Sequence, residues 1–243
     1  MVSYQFAVNA ILFASSVAQT TTAASSGPRV WKWRNYGHAA PVSPIEQSVT
    51  IHVPPDTDIW RPAADRDNFT APFLYTAVPS AEFCSVQVTV TAPWRTLYDQ
   101  GGLVIAYPPS RRKDGAAARF IKAGVEFTDG APALGVVGTD VLSDWSLSPI
   151  VERQAGDDDD AKVTVLIERQ GTDAWVYVLE SRGKTRRQLR QITWAFNKDD
   201  SQGLAKEIFV GIYGAKPTRE SPPSDPFTKI PVTFSDFRLK LKK

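Results

Sequence analysis

From Trp31 to the C-terminus, apolar runs of strand length alternate with clusters of Pro, Gly, Asp and Ser. The clearest runs are Ser48–Val53, Ser85–Thr91, Leu103–Tyr107, Phe120–Phe127, Ala133–Val137, Val163–Glu168, Trp175–Leu179, Ile192–Phe196, Ile208–Tyr213 and Val232–Leu241. They are rich in Val, Ile, Thr and aromatic residues, which suit a pleated, half-buried surface. Several alternate with period two: Val163, Val165 and Ile167 fall on one face, Thr164, Leu166 and Glu168 on the other. In the last run Phe234, Arg238 and Lys240 share a face opposite Phe237, Leu239 and Leu241, and a bulge at Ser235-Asp236 would shift that register. A helical period never exceeds two turns, and Asp199–Glu207 is at most a short helix. The pattern predicts an all-β, two-sheet antiparallel sandwich.

The densest chemistry lies in Trp94–Pro149, three strand-like blocks separated by turn residues. Phe127-Thr128-Asp129-Gly130 reads as a hairpin turn. In the strand before it, Lys122, Gly124, Glu126 and Thr128 point one way, while Ile121, Ala123, Val125 and Phe127 point into the core. Gly124 leaves room for a ligand between Lys122 and Glu126, the candidate catalytic pair. Tyr98, Asp99, Gln100, Asp144 and Trp145 are candidate binding residues around them, with Trp60, Trp194 and Tyr213 as apolar walls and the remaining Trp residues mostly core. The same pattern also fits a buried Lys–Glu pair that only holds the sheets in register.

Composition narrows the classes. A chain of 243 residues, 42% hydrophobic, suits one domain. With 28 basic and 26 acidic residues it lacks the concentrated basic face that nucleic acid requires. Arg111-Arg112-Lys113 and Arg186-Arg187 read as loops, and Lys240–Lys243 as a tail. The run Asp157–Asp160 lacks the spaced ligands of a calcium loop and reads as solvated. Lys216–Thr228, with four prolines, reads as an extended connector. Two histidines, His38 and His52, make no zinc motif, and no nucleophile elbow, phosphate loop or dinucleotide fingerprint occurs. No cofactor is therefore expected.

Residues 1–18 carry no charged side chain and contain an apolar run too short for a bilayer, which suits a signal peptide cleaved after Ala18. Residues 19–30 form a polar spacer ahead of a single domain over 31–243. The sequon at Asn68 then becomes an expected glycosylation site in a secreted chain. Cys84 lies in a strand and is expected to be a buried small hydrophobe.

The blocks DIWRP, FTAPFLYTAV, APWRTLYDQGGLVI, FIKAGVEFTDG, SDWSL, ITWAF and VGIYGAKPT, in that order over about residues 45 to 241, resemble the fungal regulator-of-enolase-like family. That resemblance implies a concanavalin A-like jelly roll. The added leader resembles the layout of a secreted branch, the hetero-Diels–Alderases of tropolone–sesquiterpenoid pathways. It implies a cofactor-independent pericyclase acting on hydrophobic polyene or aromatic substrates. A non-catalytic carbohydrate-binding domain and a protein-binding regulator remain open. Glycoside hydrolysis is disfavoured, because Glu126 and Asp129 are three apart and face opposite sides of their strand.

Overall fold

The computed structural model describes residues 29–37, 48–107, 119–151, 161–197, 207–222 and 224–242. Expectations for the signal peptide, most of the spacer, His38, Arg111–Lys113, Asp157–Asp160 and nearly all of Asp199–Glu207 lie outside them.

The described strands are β1 (Trp31–Arg34), β2 (Val49–Val53), β3 (Ile59–Ala63), β4 (Arg66–Phe69), β5 (Phe73–Pro79), β6 (Phe83–Thr91), β7 (Gln100–Tyr107), β8 (Arg119–Thr128), β9 (Ala131–Thr139), β10 (Ser143–Ser148), β11 (Val163–Gln170), β12 (Asp173–Glu180), β13 (Thr185–Ile192), β14 (Glu207–Ala215) and β15 (Ile230–Leu241). One antiparallel sheet has the order β1-β5-β14-β7-β8-β9-β10, the other β13-β12-β11-β6-β15-β2, and β3-β4 make a two-stranded ribbon. This is the two-sheet antiparallel sandwich that the period-two pattern predicts, of the jelly-roll type that the family resemblance implies.

The alternation settles what each sheet buries. Val86, Val88 and Val90 of β6, Val163, Val165 and Ile167 of β11, and Leu103, Ile105, Ile121, Ala123 and Val125 of β7 and β8 meet in the core between the sheets. The other face of the seven-stranded sheet has its own apolar layer. There Val104, Ala106, Phe120, Val137 and Tyr213 pack under Ile59 and Phe69 of the ribbon. That second layer is what positions a site, because the ribbon covers only part of the sheet.

Several expectations are corrected. Ile192–Phe196 is not a strand: β13 ends at Ile192 and residues 193–196 turn, carrying Ala195 and Phe196 into the core. Arg186 and Arg187 lie in β13, paired with Glu168 at 2.8 Å and Glu180 at 2.7 Å. Lys240 belongs to β15 rather than a tail. Cys84 is half-buried near the start of β6 rather than a fully buried core residue. Of the seven tryptophans only Trp31 and Trp94 are buried, each 5% exposed, so most of them are not core residues. The β15 bulge is present, with the pairing to β6 shifting between Ser235 and Arg238 and Asp236 at φ 52°.

Candidate functional site

Three neighbouring strands pass glycine to glycine: Gly102 of β7 faces Gly124 of β8, which faces Gly135 of β9. A Cβ on Gly102 or Gly124 would overlap a backbone carbonyl of the neighbouring strand. The row therefore stays bare of side chains. On one side of it stand Val104, Lys122 and Val137; on the other, Gln100 and Glu126. At Gly135 a Cβ would lie 2.9 Å from Glu126 Oε2, so its absence lets the Glu126 side chain fold over β9.

Above this floor is a cavity of about 230 Å³, lined by Asp58, Trp60, Tyr98, Gln100, Lys122, Glu126, Val137, Trp145 and Pro217. A larger polar groove of about 700 Å³ runs past Thr164, Glu180, Arg187 and Arg238. Its Arg187 and Glu180 are spent on each other. The smaller cavity is the better site because buried titratable groups converge in it.

Lys122 is 3% exposed. Its Nζ donates to Gln100 Oε1 at 2.6 Å and lies 3.7 Å from Asp58 Oδ1. The Trp60 and Tyr213 ring centroids are 6.0 and 5.9 Å away. Burial pushes the Lys122 ammonium below the usual lysine range, and the Asp58 and Glu126 charges only partly offset this. Burial likewise lifts the Glu126 carboxyl above its ordinary range; Lys122 and the Trp145 indole oppose the lift, and Asp58 adds to it. Tyr213 is buried and donates to Gln100 Oε1 at 3.2 Å. Gln100 Nε2 reaches Asp58 Oδ1 at 3.4 Å and the Tyr98 carbonyl at 3.3 Å, so one amide ties three walls together.

The structure thus brings together Lys122, Glu126, Gln100, Tyr98, Trp145, Trp60 and, behind them, Tyr213. It separates three others. Asp144 precedes Trp145 in β10, points to the opposite face and pairs with Arg190 of β13. Trp194 packs against Tyr107 at a centroid distance of 5.9 Å. Asp99 is fully buried, bonded to Lys216 at 3.1 Å. Asn68 is exposed on β4, opposite Trp60.

Two residues that sequence reasoning passed over complete the site. Asp58 supplies the carboxylate nearest Lys122. Lys216 is buried, not part of an open connector. Its Nζ donates to Thr96 at 2.8 Å, Glu220 at 3.0 Å and Asp99 at 3.1 Å. Its backbone exchanges hydrogen bonds with Thr57. The cluster pins the segments that carry Asp58, Tyr98 and Pro217. Tyr98 is held at φ 65°, with its N–H donating to the Phe127 carbonyl at 2.7 Å.

Residues 33–241 match the model of a protein family of unknown function, DUF1349. The chain belongs to this family. A DUF1349 relative in sequence is an uncharacterised protein of Emericella nidulans, 32% identical over 170 residues that cover 70% of this chain and 77% of the relative. Another is regulation of enolase protein 1 of Saccharomyces cerevisiae, 28% identical over 79% of this chain and 80% of its own. Among solved structures, a functionally unknown protein from Saccharomyces cerevisiae superposes with a TM-score of 0.62 at 22% identity, covering 88% of this chain and 97% of its own. A GH43 protein from Bacillus licheniformis superposes with a TM-score of 0.58 at 13% identity, over 87% of this chain and 36% of its own. These likenesses establish the fold. Among the described residues no helix is long and apolar enough to cross a membrane.

Proposed function

We propose that the cavity binds a flat, oxygen-bearing ring, and that this DUF1349 chain is a cofactor-independent catalyst of acid-assisted dehydration followed by [4+2] cycloaddition. The observation that carries this reading is the placement of Lys122 and Glu126 on either side of Gly124. They form a hydrogen-bond donor and a carboxylic acid at opposite ends of a side-chain-free floor.

A ring bearing adjacent hydroxyl and hydroxymethyl groups fits that spacing. Glu126, protonated more readily than an exposed carboxyl, gives its proton to the leaving hydroxyl. The ring hydroxyl gives its proton to the Asp58 carboxylate, and one water departs. The product is an oxygen-terminated diene whose oxygen accepts from Lys122 Nζ. An alkene then adds across it. One C–C and one C–O bond form as three π bonds become one, and solvent returns the proton from Asp58 to Glu126. A volume of about 230 Å³ holds a single ring. The alkene partner therefore meets it at the mouth, beside Tyr98 and Trp145, which are 38% and 37% exposed. Holding both partners in contact removes much of the entropic barrier. A secreted location accords with this reading.

The test is titration of Trp fluorescence with a hydroxymethyl phenol, with an alkene and with oligosaccharides, followed by product analysis with phenol and alkene together. Saturable phenol binding with a cycloadduct supports the proposal. Binding of oligosaccharides alone would make Trp60 and Trp145 a sugar platform and end the catalytic reading. Binding of neither class would leave a protein-binding regulator.

A further inference from the structure

Lys122 has a second chemical capacity that the dehydration does not use. Its Nζ lines a cavity yet is almost wholly withdrawn from water. Its two polar partners, Gln100 Oε1 and Asp58 Oδ1, belong to side chains that are hydrogen-bonded to each other. They therefore occupy neighbouring positions around the nitrogen. An uncharged amine can give its two N–H groups to those acceptors and turn its lone pair toward the cavity. Glu126 stands across the bare Gly124 position as a proton donor.

We propose that Lys122 is an imine-forming nucleophile that captures a small aldehyde or ketone in this cavity. The amine attacks the carbonyl carbon and a carbinolamine forms. Glu126 delivers a proton to its hydroxyl, which leaves as water, while the nitrogen yields its remaining N–H proton to Asp58. The sum is amine plus carbonyl giving imine plus water, with no oxidant or reductant. Desolvation favours the uncharged amine, against the smaller opposing effects of the Asp58 and Glu126 carboxylates. The cavity's size selects carbonyl compounds no larger than a substituted benzaldehyde. Imine formation draws on the cavity and not on the cycloaddition, so either can fail without the other.

The experiment is reductive trapping of the whole protein with 2-hydroxybenzaldehyde and sodium cyanoborohydride at neutral pH, read by peptide mass mapping. One hydroxybenzyl group should appear on Lys122, at least about tenfold faster than on the exposed Lys32, Lys162 and Lys242, which stand in water outside the cavity. Glu126→Gln should slow labelling by about a hundredfold if the acid drives dehydration. Lys122→Met should abolish that adduct; if this variant does not fold, the map of the unaltered protein decides alone. Labelling confined to surface lysines, with Lys122 recovered unmodified from folded protein, would overturn the proposal.

Discussion

Lys216 and Asp99 form an ion pair at 3.1 Å in which neither side chain is exposed at all. Asp99 also accepts the Thr96 N–H at 2.9 Å, capping the turn that presents Tyr98 to the cavity. Removing one partner strands the other charge. Lys216→Met should therefore cost about 3–5 kcal/mol in denaturant unfolding, far above a surface pair. Adding Asp99→Asn should return part of that loss, because the amide oxygen can still cap Thr96 while the buried charge is gone. A double variant no more stable than Lys216→Met would show that the pairing is not what the cluster supplies.

The opposed glycines Gly102 and Gly124 give a sharper contrast. A methyl on Gly124 overlaps the Gly101 carbonyl, and backbone on both strands must move to admit it. Gly124→Ala should lose about 3 kcal/mol or fail to fold, within the range of severe core disruptions. Gly37, with nothing within 4 Å of its would-be Cβ, is the control, and Gly37→Ala should shift stability by no more than about 0.5 kcal/mol. Thermal melts of both variants measure the difference.

Much of this was legible in the chain, for reasons that can be located. The long strands β11 and β15 announce themselves because one face is mostly buried and the other is more open. In β8 both faces are buried, and it is the period-two spacing of Lys122 and Glu126 that placed them together. The ribbon β3-β4 did not announce itself, since Arg66, Asp67 and Asn68 are exposed and only Phe69 repays burial. Lys216 looked like a residue of a proline-rich connector. Its partners Asp99 and Thr96 lie more than a hundred residues away in sequence, and nothing local signals them. Asp144 was avoidable: neighbours in a strand face opposite ways, so Trp145 could not share a cavity with it.

That parity makes a prediction for ligand binding. Asp144→Ala removes an exposed ion pair to Arg190 on the far side of β10, worth at most about 1 kcal/mol of stability. It should leave the affinity for a hydroxymethyl phenol within about twofold. Trp145→Ala, one residue on, removes a cavity wall and should weaken the same ligand by about tenfold, the loss of one well-placed aromatic contact. Equal effects from both variants, read by calorimetry, would mean that the ligand sits elsewhere.

Glu126 gives the pH signature. Its folded-state pKa lies above the ordinary carboxyl value of 4.5, and burial is the main cause. A raised carboxyl favours folding while it is protonated. Its contribution is therefore fully present below the unfolded value and is lost as pH rises through the folded one. Glu126→Gln keeps the side-chain shape without the titration. Relative to that variant, the parent protein should be more stable in acid and lose the advantage as pH climbs from the ordinary carboxyl range toward neutrality. Trp145 emission, beside the carboxyl, should titrate across the same interval in the parent and stay flat there in Glu126→Gln. A parent transition centred at or below 4.5, or a stability difference that grows instead of shrinking with pH, would mean that Glu126 is not a buried acid and could not donate its proton near neutrality.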